Sequence, residues 1–129
     1  MAVDEIPGEM MTLAHYITSH LGRPFKWGEH DCVLFAVGWL EHATGRDYLS
    51  PYKPWSTALE AARKVADSGG LDALFDAELE PIEPNFAVDG DLAIIRGTAY
   101  LFSGPHVVSV GEDGLVFKDR LEAQYAWSH

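Results

Sequence analysis

The sequence predicts one α+β domain over residues 1–129, with helices in its first part and an antiparallel sheet in its second. Three observations carry this. Up to Leu79, stretches with helical spacing or unbroken apolar character are bounded by capping and breaking residues. From Asp91 onward, short branched and aromatic runs alternate with turn residues. The connections between those runs are too short for the crossovers that parallel strands need.

The first helix runs from Pro7 to His20, with Met10, Leu13, Ala14 and Ile17 on one face, and Gly22-Arg23-Pro24 ends it. Phe25 to His30 reads as a short aromatic loop. Asp31 to Ala43 is apolar almost all round, the mark of a buried helix; Asp31 suits its N-cap and Thr44-Gly45 its stop. Trp39, in mid-helix, belongs to the core. A surface helix spans Ser56 to Asp67 and ends at Gly69-Gly70, and Leu71 to Leu79 forms one more short helix. Pro81 and Pro84 mark a loop. Strands follow at Asp91–Arg96, Tyr100–Ser103, His106–Val110, Leu115–Lys118 and Tyr125–Trp127.

Bulk properties exclude several functions. Hydrophobic residues make up 47% of the chain and charged residues 22%, enough for an independent core. No apolar run approaches the roughly 18 residues of a membrane span. The N-terminal MAVDEIPGEM lacks the basic and apolar parts of a signal peptide, so the expected location is the cytoplasm of the producing cell. A net charge of −11 with nine scattered Lys and Arg argues against nucleic acid and anionic lipid as partners. No cofactor is implied.

The chain holds one cysteine, Cys32, so no disulfide forms within it. A lone thiol is either a small buried hydrophobe or a nucleophile. A nucleophile needs its thiolate, which a helix N-terminus favours, and Cys32 follows the expected N-cap directly. An adjacent Asp31 opposes this unless its charge is turned to the backbone. The reaction also needs an imidazole as proton acceptor and donor. Of six histidines, His106 is the best candidate, because it opens the strand HVVSV and would be rigidly held. His30, two residues before the thiol, is the runner-up; its bland reading is a solvated loop residue. His15, His20, His42 and His129 read as helix-surface or terminal residues.

A third group should orient the base. A two-residue Asp113-Gly114 turn would put Asp119 on the face of His106, opposite Val108 and diagonal to the imidazole. A three-residue Glu112-Asp113-Gly114 loop would put Lys118 there instead. Asp119 is the preferred partner because a carboxylate accepts an imidazole N–H. Trp27 flanks the cysteine loop and suits a substrate groove. A metal site from His30, Asp31, Cys32 and a distant histidine is disfavoured, because adjacent residues at a helix start rarely converge on one ion.

The stretch FKWGEHDCVLFAVGWLEHATGRDY resembles the core of the NlpC-type peptidases, papain-like cysteine enzymes that cut peptidoglycan stem peptides. The resemblance rests on Trp27-Gly28, Asp31-Cys32, Thr44-Gly45, Gly90-Asp91-Leu92, and His106-Val107 with Gly111 and Gly114, across about residues 23 to 119. It implies a papain-like fold, with the cysteine-bearing helix on the C-terminal sheet. It also implies Cys32 as nucleophile and His106 as base, and a substrate side formed by Phe25, Trp27 and His30. Cys32 would attack a peptide carbonyl, His106 would protonate the leaving amine, and water would release the thioester. Compact relatives of this type resemble tail-associated proteins of phages and prophages, which implies tail or tail-tip partners and a place in the virion. Three positions depart from the pattern. Val33-Leu34 follow the cysteine where Ser-Gly is usual, Phe25 stands where a tyrosine is frequent, and Lys118 falls at the third polar position. The expected function is therefore a peptidoglycan cysteine peptidase or amidase, with a non-catalytic tail-assembly or binding module on the same fold as the alternative.

Overall fold

The computed structural model describes residues 12–48 and 55–129. Its helices are α1 (Leu13–His20), α2 (Cys32–Thr44), α3 (Ala58–Asp67) and α4 (Leu71–Glu78). Its strands are β1 (Glu80–Ile82), β2 (Leu92–Ile95), β3 (Thr98–Ser103), β4 (His106–Gly111), β5 (Gly114–Asp119) and β6 (Tyr125–Ser128). They form one sheet in the order β1-β6-β2-β3-β4-β5, with every neighbouring pair antiparallel. The α+β class expected from the sequence is the one observed.

Thr12 caps α1 by accepting the His15 N–H, and the expected helix residues 7–11, Met10 among them, lie outside the described residues. The buried side of α1 is Tyr16 and Ile17 with Leu13 partly covered, whereas Ala14 is exposed. The face is turned because Tyr16 docks on α2. Its hydroxyl donates to the Phe35 carbonyl at 2.6 Å, and its oxygen occupies the space where a side chain at Gly38 would stand.

Helix α2 is the centre of the molecule. Val33 to Val37, Trp39 and Leu40 are all buried, as an all-round apolar helix requires. Asp31 caps it, accepting the Leu34 N–H at 2.9 Å, and Gly45 ends it in the left-handed conformation at φ 75°. The helix packs on β3 and β4. Its first residue meets Ala99 at the start of β3. Trp39 lies against Gly90, whose N–H donates to the Phe102 carbonyl near the end of β3. Helix α2 therefore runs along β3 in the same direction.

Alternation sorts the strand residues onto two faces. Leu92, Ile94, Ala99, Leu101, Val108, Val110 and Trp127 join the helices in the main core. Ala93, Ile95, Tyr100, Phe102, Val107 and Ala126 form a second, smaller core on the far face with Ala87. Arg120 fastens the cover over that face: its guanidinium donates to the carbonyls of Ala87 and Gly104 and lies 5.0 Å from the Phe102 ring centre. The central strands β2, β3 and β4 are thus buried on both sides, which explains their nearly continuous apolar runs, whereas the edge strand β5 is largely exposed.

Two further expectations are corrected. Pro81 lies in β1 rather than in a loop, paired with Trp127. β1 is an edge strand, where a missing N–H is tolerated. The β4–β5 connection is a two-residue loop, but it is Glu112-Asp113, with Gly111 paired to Gly114. Parity stays as expected for a two-residue turn, yet the register shifts, so Asp119 stands directly opposite His106 rather than opposite Val108.

Candidate functional site

Asp31 organises the approach to Cys32. Its carboxylate is fully buried and accepts three donors: the N–H groups of Gly28 and Leu34 and the indole N–H of Trp55, at 3.0, 2.9 and 2.9 Å. The charge is thus committed to backbone and indole dipoles, as an N-cap reading anticipates. It ties the aromatic loop, α2 and the start of the segment leading into α3 to one point.

Cys32 itself keeps some solvent exposure. It lines an apolar cavity of about 360 Å3 with Trp27, Val33, Trp55, Ala61 and Val65. Burial pushes the thiol above its usual range, and the Asp31 charge pushes in the same direction. Backbone hydrogen bonds from Ala99, Val33 and Cys32 itself pull the other way without reversing the shift. The helix N-terminus alone therefore does not make this thiol acidic.

The expected base lies elsewhere. His106 is exposed, pairs with Ser103 at the end of β3, and meets the ring edge of Phe117 at 6.0 Å. Ala99, beside Cys32, is at the other end of β3. At about 3.3 Å per residue the two points are roughly 13 Å apart along the strand. The reason is topological. β3 and β4 form a hairpin, so the start of β4 lies beside the end of β3, away from the N-terminus of α2. Asp119 does lie across from His106, but its carboxylate accepts the Leu121 N–H at 2.9 Å and caps the turn 120–122. The structure brings Asp119 to His106 and brings neither to Cys32.

His30 is not a solvated loop residue. It is 3% exposed, and its ring stacks on His20 and meets the edge of Phe35, on the side of α1. Phe25 packs edge-on against Trp27, 4.7 Å between centres, and only Trp27 of that expected trio lines the Cys32 cavity. His30, Asp31 and Cys32 diverge to α1, to Trp55 and to β3. Among the described residues no three His, Cys, Asp or Glu side chains converge as metal ligands. The sequence alone offers Trp55, like the other tryptophans, as a candidate groove aromatic, and it does line the Cys32 cavity; the residue it gives no sign of is Ala99, whose backbone meets the sulfur.

Among the described residues no helix is long and apolar enough to cross a membrane. A second cavity, of about 420 Å3, opens between α4, β1 and β6 and is lined by Asp72, Asp76, Glu83, Tyr125 and Trp127. Its lining contains no cysteine, serine, threonine or histidine.

One family matches this chain, over residues 7–129: Domain of unknown function (DUF6950). The match covers nearly the whole sequence, and the chain belongs to that family. No curated protein and no solved structure matches it.

Proposed function

We propose that this protein is a non-catalytic binding or assembly module that retains a helix-on-sheet core like that of the NlpC-type peptidases without a working Cys–His couple. One observation carries the reading: no imidazole attends Cys32. All six histidines fall within the described residues. His106 is at the far end of the sheet, His20 and His30 stack at the α1–α2 junction, and His15, His42 and His129 are exposed. Without an imidazole beside it the thiolate has no charge partner to stabilise it, and burial favours the protonated form. The peptide-facing role then falls to the apolar cavity beside Trp27 and Trp55, with peptidoglycan stem peptides or phage-tail proteins as the partners the family resemblance suggests.

The test is alkylation of Cys32 against pH, in the parent and in His106→Ala, beside an assay on peptidoglycan fragments. The expected outcome is slow alkylation at pH 7 that accelerates only in alkaline solution, is indifferent to His106, and accompanies no cleavage. A thiolate already present at neutral pH and lost in His106→Ala, or cleavage abolished by Cys32→Ala, would overturn the reading and restore the peptidase.

A further inference from the structure

His20 and His30 come from the end of α1 and the loop before α2, yet their rings stack almost parallel, 14° between planes and 5.0 Å between centres. In the neutral form each ring is fixed as the Nδ1–H tautomer. His20 Nδ1–H donates to the Tyr16 carbonyl at 2.7 Å, and His30 Nδ1–H donates to the Pro24 carbonyl at 3.3 Å. Both Nε2 atoms therefore carry lone pairs. His30 Nε2 is buried and has no hydrogen-bond partner. His20, half-buried, is the lid over it.

The geometry points to an acid-sensitive latch: protonation of the stacked His20–His30 pair releases α1 from α2 and bares the apolar side of α2. A proton on His30 Nε2 would become a buried N–H donor on a cation with no acceptor, a state that costs far more than a bare lone pair. A second proton, on His20, would place two like charges face to face. The surroundings do not offset this. Arg23, just after α1, and His42, on α2, add charge of the same sign. Asp31 acts in the opposite direction on His30, but its carboxylate is already held by three donors. Glu41 on α2 acts on Tyr16. Lys26 and Glu29, in the loop that holds His30, pair with each other at 3.2 Å. From the sheet side the β4–β5 loop reaches this region through the Phe25 N–H on the Glu112 carbonyl, with the side chains of Glu112 and Asp113 exposed.

Burial accordingly lowers the tendency of both rings to take a proton, helped by Arg23. Swinging α1 outward hydrates both rings, and each then binds a proton at its ordinary value of about 6.5. Below that pH, and above the depressed values of the docked rings, the open state gains up to roughly tenfold per pH unit for each ring, or about a hundredfold for the pair. The latch concerns the helix joint, not Cys32, and stands or falls apart from the proposed function.

Amide hydrogen exchange of the full chain between pH 7.5 and 5, corrected for intrinsic rates, tests it. The expected result is a loss of protection confined to Leu13–His20, approaching a hundredfold per pH unit, while β2, β3 and β4 stay protected. His20→Gln should cut the slope to about tenfold, and His20→Gln with His30→Phe should remove it. Should the double variant fail to fold, the slope of His20→Gln alone decides. Protection of α1 that is constant with pH, an undiminished slope in His20→Gln, or simultaneous loss across the whole sheet would each overturn the latch.

Discussion

Replacing Asp31 by alanine takes one buried carboxylate away from three donors at once. The Leu34 N–H loses its cap, and the Gly28 N–H and the Trp55 indole N–H lose their acceptor. A lost N-cap costs about 1 kcal/mol. Each of the other two bonds, made to a charged acceptor, is worth roughly 1.5–3 kcal/mol. The three share one group and do not add fully, so the expected loss is about 3–5 kcal/mol. That is a large part of the roughly 5–15 kcal/mol that holds a domain folded. With a urea slope of about 2 kcal/mol per molar, the unfolding midpoint should fall by roughly 2 M. Urea titration followed by tryptophan fluorescence measures it. Trp55→Phe removes one bond and should move the midpoint about a third as far. Because Trp55 acts through Asp31, the two changes together should cost less than their sum. A shift below about 0.5 M in Asp31→Ala would refute the assignment of Asp31 as the structural anchor of the Cys32 loop.

Three further substitutions extend the test. A side chain at Gly28, whose φ is 81°, would collide with the Trp55 carbonyl, whereas one at Gly45, φ 75°, meets open space. Gly28→Ala should therefore leave little folded protein at 37 °C, while Gly45→Ala costs only about 1 kcal/mol for the left-handed backbone; equal midpoints in thermal melts would contradict this. Ser109→Ala removes a buried hydroxyl that donates to the Ala99 carbonyl at 2.7 Å, and should cost about 1–2 kcal/mol in urea titration. It should also quicken Cys32 alkylation by loosening the backbone beside the sulfur; an unchanged rate would separate the two ends of that contact.

Much of the fold was legible because it follows from local chemistry. Asp31 and Gly45 bracket α2 as a carboxylate cap and a left-handed stop, and both effects act within a few residues. The runs around Leu92, Leu101, Val108 and Phe117 alternate with short turns that force antiparallel pairing. Pro81 misled, because a proline argues against a strand only where its missing N–H would be needed, and strand order decides that. His30 misled for a related reason. Nothing within the loop says that α1 will fold back and lay His20 over it.

The sequence by itself determined an α+β domain, a buried helix that opens with Cys32, and an acidic chain of net charge −11. Those properties rest on composition, periodicity and capping, which neighbouring residues settle among themselves. The tertiary structure decided which histidine meets the thiol, and the answer is none. That outcome depends on the direction of α2 along β3 and on the hairpin that carries His106 to the opposite end of the sheet. Both are set by packing between residues tens of positions apart, where Trp39 meets Gly90 and the first turn of α2 meets Ala99. A motif records residue types in order, whereas catalysis needs them within hydrogen-bond reach, and only the packed chain supplies that distance.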